Sequence, residues 1–116
     1  MHEFGIMSSV MDNVIRVAQE HDAQKINQIS LRIGVMVEAV EESLQFAFDI
    51  LKEDTIAQDA VLEVIEIQPY SRCIECGHEF EHTRYDLRCP KCDSPLTQVL
   101  KGRELEVASI ELDIDE

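Results

Sequence analysis

Two places in this chain carry residues able to do chemistry, and the cysteines mark the first. All four fall in two pairs, Cys73-Ile74-Glu75-Cys76 and Cys89-Pro90-Lys91-Cys92, separated by the twelve residues Gly77 to Arg88. Each Cys-x2-Cys turn offers two thiolates to one ion, and four sulfurs at about 2.3 Å complete a tetrahedral shell around zinc. Gly77 and Asp93 directly follow the second cysteine of each pair. The chain must turn sharply there, and these residue types tolerate unusual backbone angles. A closed four-sulfur site leaves no open coordination position, so the metal expected here is structural and not catalytic. Iron in a rubredoxin-like site uses the same ligands, and two disulfides are the metal-free alternative, disfavoured in a reducing compartment. His78 and His82 lie beside the cluster. Each could replace a cysteine or bind a second metal, but a solvated surface histidine is the plainer expectation.

The second place is the start of the chain, Met1-His2-Glu3. A free terminal amine has an unperturbed pKa near 7.7 to 8.0, so an appreciable fraction is neutral and able to bind metal at cellular pH. The amine of Met1, the backbone nitrogen of His2 and its imidazole can close five- and six-membered chelate rings around one ion. Nitrogen donors in a plane suit Ni(II) or Cu(II) rather than Zn(II) or Mg(II), and intrinsic affinity alone favours copper. Glu3 can add its backbone nitrogen or its carboxylate. The same residues also open a helix, where an acidic side chain has a purely dipole-stabilising role.

The elements that must position these residues fit in one modest domain with a small insert. The chain has 116 residues, 45% of them apolar, enough for a core at this size. Ten basic residues against 24 acidic ones give a net charge of −14. With no basic run, binding to nucleic acid or to an anionic membrane is not expected. No apolar stretch approaches the roughly 20 residues of a membrane span, and the first residues lack the basic and apolar regions of a signal peptide, so the expected location is cytoplasmic. No Ser/His/Asp constellation or Gly-rich phosphate loop is present, which argues against an enzyme. The acid is uneven. Nine acids face one base between Glu38 and Glu66, six acids and no base follow from Glu104, and the stretch from Ser71 to Cys92 balances four against four.

Apolar spacing predicts a helix from about Gly5 or Ile6 to Glu20, with Met7, Val10, Met11, Val14 and Ala18 on one stripe. Ile29, Leu31 and Ile33 alternate with polar residues as in a half-buried strand ending near Gly34, which Val35 and Val37 could extend. A second helix is expected from about Glu38 to Glu53, burying Val40, Leu44, Ala47, Phe48 and Leu51. Val61 to Ile67 is branched and apolar on both faces, which suits a central strand closed by Pro69. A last strand runs through Leu105 and Val107, then Ile110, Leu112 and Ile114, with a phase slip near Ala108-Ser109 that implies a bulge or cover on both sides. The fold class is therefore α+β: two helices on a small three-stranded sheet, with a zinc-ribbon-like four-cysteine segment looping out between two neighbouring strands. Residues 1–69 and 103–116 form one domain and 70–102 the insert. The insert has only Ile74, Phe80, Tyr85 and Leu87 between Arg72 and Cys92, too little apolar mass to fold without a staple.

Taken together, Met1-His2-Glu3, the amphipathic helix after it, the strand ending in Ile33-Gly34, the two Cys-x2-Cys pairs, and Gly102-Arg103-Glu104-Leu105 leading to Ser109-Ile110-Glu111 resemble the HypA/HybF family of hydrogenase nickel-incorporation proteins over the whole chain. The resemblance implies a cytosolic metallochaperone that binds Ni(II) as cargo and takes part in protein maturation. By matching position, His2 would be the essential nickel ligand with Glu3 and Met1 contributing, and Cys73, Cys76, Cys89 and Cys92 would hold structural Zn(II). The implied partners are a HypB-type GTPase, the [NiFe]-hydrogenase large subunit and, in some members, urease maturation proteins, with this chain a monomer or weak homodimer. His78 resembles a position where some members carry a histidine, but Asp93 and Ser94 stand where certain members have another after the second pair. The rival reading is a zinc-ribbon module that binds proteins or nucleic acid. It accounts for the cysteines and leaves His2 unexplained.

Overall fold

The computed structural model describes residues 3–114. In chain order they form helix α1 (Glu3–Glu20), strand β1 (Ala23–Gly34), a 3-10 turn (Val35–Val37), helix α2 (Glu41–Leu51), and strands β2 (Val61–Ile67), β3 (Tyr70–Cys73), β4 (Glu79–Glu81), β5 (Thr97–Lys101) and β6 (Leu105–Ile114). The strands make two three-stranded sheets, ordered β2-β1-β6 and β4-β3-β5.

The described chain divides into two compact units. One comprises the residues up to Arg32, Ala39–Ile65 and those from Glu106 onward; the other comprises Ile33–Glu38 and Glu66–Leu105. In the first, α1 and α2 pack together. The stripe read from sequence is the buried face of α1, with Ile6, Met7, Val10, Met11, Val14 and Ala18 inside. From α2 come Leu44, Ala47 and Phe48, and from β1 Ile26, Ile29 and Leu31. Gln45 ties α2 to β2 by donating from Nε2 to the Leu62 carbonyl at 2.9 Å.

The tertiary structure corrects four expectations. First, β1 is the central strand and β2 an edge. Its polar residues concealed this: Ser30 is buried because its hydroxyl donates to Glu63 Oε1 at 3.0 Å, so a polar position lies comfortably inside. Second, β2 and β6 are not neighbours, since both flank β1, so the four-cysteine segment does not loop out between adjacent strands. Third, Val35 and Val37 do not prolong β1. They form the 3-10 turn, which ends at Glu38 in a left-handed conformation with φ 63°. Fourth, α2 starts at Glu41 and not Glu38, because that left-handed residue cannot begin a right-handed helix. Val40 is consequently the extended cap of α2 and exposed, rather than part of its buried face.

Gly34 is where the second unit is tightest. Its N–H donates to the Glu104 carbonyl at 2.8 Å, and Met36 N–H donates to the Gly102 carbonyl at 2.8 Å. A Cβ on Gly34 would fall 2.0 Å from the carbonyl carbon of Gly102, so only glycine allows this approach. Gly102 itself has φ 118°.

Candidate metal centre

The β4-β3-β5 sheet builds the frame around the cysteines. Strand β3 is antiparallel to both neighbours, with Ser71 opposite Phe80 on β4 and Cys73 opposite Thr97 on β5. Cys73 ends β3, and the chain then makes a tight turn in which Gly77 N–H donates to the Cys73 carbonyl at 2.9 Å. The second pair repeats it: Asp93 N–H donates to the Cys89 carbonyl at 2.8 Å. The residues closing the turns, Gly77 and Asp93, have φ 78° and 61°, as their types and positions predict. Each turn is then clamped to the chain beyond it. Cys73 N–H donates to the His78 carbonyl at 2.8 Å and Cys89 N–H to the Ser94 carbonyl at 3.0 Å.

Two equivalent turns thus face one another and bring four sulfurs together. Cys73 Sγ lies 3.5 Å from Cys92 Sγ, and Cys76 Sγ lies 3.6 Å from Cys89 Sγ. All four fall within 4.8 Å of one another. A tetrahedron with metal–sulfur bonds of about 2.3 Å has edges of about 3.8 Å, so the cluster has the dimensions of a zinc shell. All four cysteines are free thiols. Cys73 and Cys89 are buried with Phe80 while Cys76 and Cys92 are exposed. Crowding spreads their acidities. The Cys76 backbone N–H donating to Cys73 Sγ pulls that thiol down to about 7. The Ser94 N–H pulls Cys92 down as well, but the neighbouring cysteine sulfurs, Cys73 foremost, together with burial push it up to about 12. Sulfurs this close cannot all ionise alone, and a divalent cation between them removes the conflict.

The two histidines stand outside the sulfur cluster, and both are half-buried. The His78 ring stacks on Phe80, with centroids 6.0 Å apart. His82 has its Nδ1 2.6 Å from the Thr83 carbonyl and its Nε2 2.6 Å from Ser71 Oγ. A carbonyl only accepts, so Nδ1 carries a proton, and in the neutral imidazole Nε2 accepts from the Ser71 hydroxyl. Ser71 is fully buried. Nothing in the spacing of Ser71 and His82 signals this pair, because β3–β4 pairing brings the two segments together.

Of the N-terminal tripeptide, Met1 and His2 lie outside the described residues. Glu3 opens α1. Its carboxylate accepts the Val40 N–H at 3.0 Å, at the residue that caps α2 and has no side-chain acceptor of its own. One helix thereby caps the next, and a negative charge sits at the positive end of α2.

The sequence model of a family described as "Hydrogenase/urease nickel incorporation, metallochaperone, hypA" matches residues 1–112. The chain belongs to the HypA family. A HypA from Dehalococcoides mccartyi is 40% identical over 113 residues, 97% of this chain and 95% of that protein. One from Aquifex aeolicus is 34% identical over 116 residues, covering 99% and 100% of the two chains. Among solved structures, that of the Ni metallochaperone HypA from Helicobacter pylori superposes with a TM-score of 0.71 at 25% identity, over 99% of this chain and 100% of that one. A second solution structure of a HypA protein gives 0.75 at 26%, over 99% and 98%. HypA is a metallochaperone family for nickel incorporation and hydrogenase maturation, not a family of enzymes. The two helices, the paired small sheets and the four-cysteine cluster all agree with HypA structures. Among the described residues, no helix is long and apolar enough to cross a membrane.

Proposed function

We propose that this HypA carries Ni(II) on its N-terminal tripeptide and hands it, with a HypB-type GTPase, to the large subunit of [NiFe]-hydrogenase in the cytoplasm. His2 is the essential ligand, with the Met1 amine and Glu3 contributing. Residues 1–69 and 103–116 are the nickel-binding domain, and 70–102 are the zinc-binding domain, in which Cys73, Cys76, Cys89 and Cys92 hold zinc. The observation that carries this reading is the match to a nickel-incorporation metallochaperone family over residues 1–112, a span that includes the tripeptide.

The chain's chemistry fits a carrier. Glu3 is held at the start of α2 through Val40. Nickel can leave stepwise, because each nitrogen donor that takes up a proton ceases to be a ligand. The bound zinc supplies only a staple for the second unit. The structural metal and the transferred ion are therefore separate.

Calorimetric nickel titration of zinc-loaded protein with its native terminus tests the reading, in parallel with His2→Ala and with a Gly-Ser extension before Met1. One nickel per chain for the native protein and none for the other two is expected. Affinity should fall as pH drops from about 7.5 to 5.5, through the unperturbed histidine pKa, since the protonated imidazole cannot bind metal. Equal binding by all three proteins would sink the tripeptide as the site.

A further inference from the structure

Strand β6 ends its sheet: among the described residues it pairs with β1 on one side and with no strand on the other. An edge of ten residues leaves a row of backbone N–H and C=O groups without sheet partners, and such edges are ordinarily blunted by Lys or Pro. The strand, which reads LEVASIELDI, contains neither, and the charges that guard it, Glu106, Glu111 and Asp113, are all acidic. Beside this edge runs a groove of about 450 Å³ between β6 and α1, with Val14, Val17, Val107, Ile110 and Leu112 among its lining residues. A strand added along β6 would direct alternate side chains to one face of the sheet, as edge recognition of extended peptides requires.

Charge selects the occupant. Glu104, Glu106, Glu111 and Asp113 lie on or beside β6 with no base after Arg103. Glu106 is matched by Arg32 of β1 at 2.6 Å. Glu111 and Asp113 are exposed. A second copy pairing through the same edge would set acid against acid, which destabilises a cross-strand pair. We infer that β6 and its groove receive an extended segment of a partner protein, adding as a fourth strand, whose apolar residues alternate with lysine or arginine.

The test uses the full-length zinc-loaded protein and synthetic decapeptides alternating Val or Ile with Lys, with Glu or with Ser. Fluorescence anisotropy reads binding, and amide hydrogen exchange reads its place. The Lys series should bind at least tenfold tighter than the Glu series and protect amides within 105–114. Exchanging both exposed acids, Glu111→Lys with Asp113→Lys, should reverse that order without changing thermal stability. Three results would overturn the inference: no binding by the Lys series, protection confined to other elements, or a protein that sediments as a dimer with β6 already protected. The charge-reversed variant guards against mere stickiness, because indifferent attraction to an anionic protein would leave the β6 amides exchanging freely.

Discussion

Ser71 and His82 illustrate what a residue's neighbours decide. The Ser71 hydroxyl has no exposure to water and relies on His82 Nε2 as its acceptor. His82→Ala strands a buried donor and should lower stability by about 1–3 kcal/mol. Ser71→Ala in the same protein should recover much of that, because no orphaned hydroxyl remains. Urea denaturation of the two single variants and the double variant measures the coupling; additive losses would mean that the pair does not act as a unit. The four cysteines, by contrast, were legible from spacing alone, since a Cys-x2-Cys turn needs only local backbone geometry to bring its own two sulfurs together. The identity of residues 77 and 93 also spoke directly, as both take up positive φ.

Among the elements, α2 holds two phenylalanines two positions apart with opposite fates. Phe48 is 1% exposed and Phe46 67%. Positions two apart on a helix lie roughly 200° apart, so packing against α1 buries one and turns the other to water. Phe48→Ala should therefore cost about 3–5 kcal/mol, while Phe46→Ala should change stability by no more than about 0.5 kcal/mol. Thermal melts of the two variants make the comparison, and similar losses would contradict the assigned face. The stripe of α1 was readable because 3.6-residue periodicity extends over five turns. The status of β1 and β2 was not, since a short apolar run suits a central or an edge strand equally, and hydrogen bonds such as Ser30 to Glu63 let a central strand carry polar residues.

Across the protein as a whole, apolar burial is divided unequally. The first unit holds Met7, Ile26, Ile29, Leu31, Leu44 and Phe48, all nearly inaccessible to water. The buried cluster around the cysteines contains only Cys73, Phe80 and Cys89. Stability of the second unit should then depend on its metal, in the way small metal-stapled domains unfold with chelators. Stripping zinc under reducing conditions is expected to raise amide exchange across residues 66–105 while α1 and the centre of β1 stay protected. Uniform loss of protection in both units would show one cooperative fold instead.

What local chemistry can specify was readable along the chain before any packing was known. Periodicity placed the two helices and the three longer strands, composition set the four-cysteine segment apart, and the resemblance carried by Met1-His2-Glu3, the cysteine pairs and the Gly102 to Glu111 segment pointed to the family that the match over residues 1–112 establishes. Packing in three dimensions settled which strand lies in the middle, what caps α2, what His82 binds and which edge stays open. Those depend on contacts between residues far apart in the chain, such as Glu3 with Val40 and Gly34 with Glu104, and no repeating pattern along a single segment encodes them.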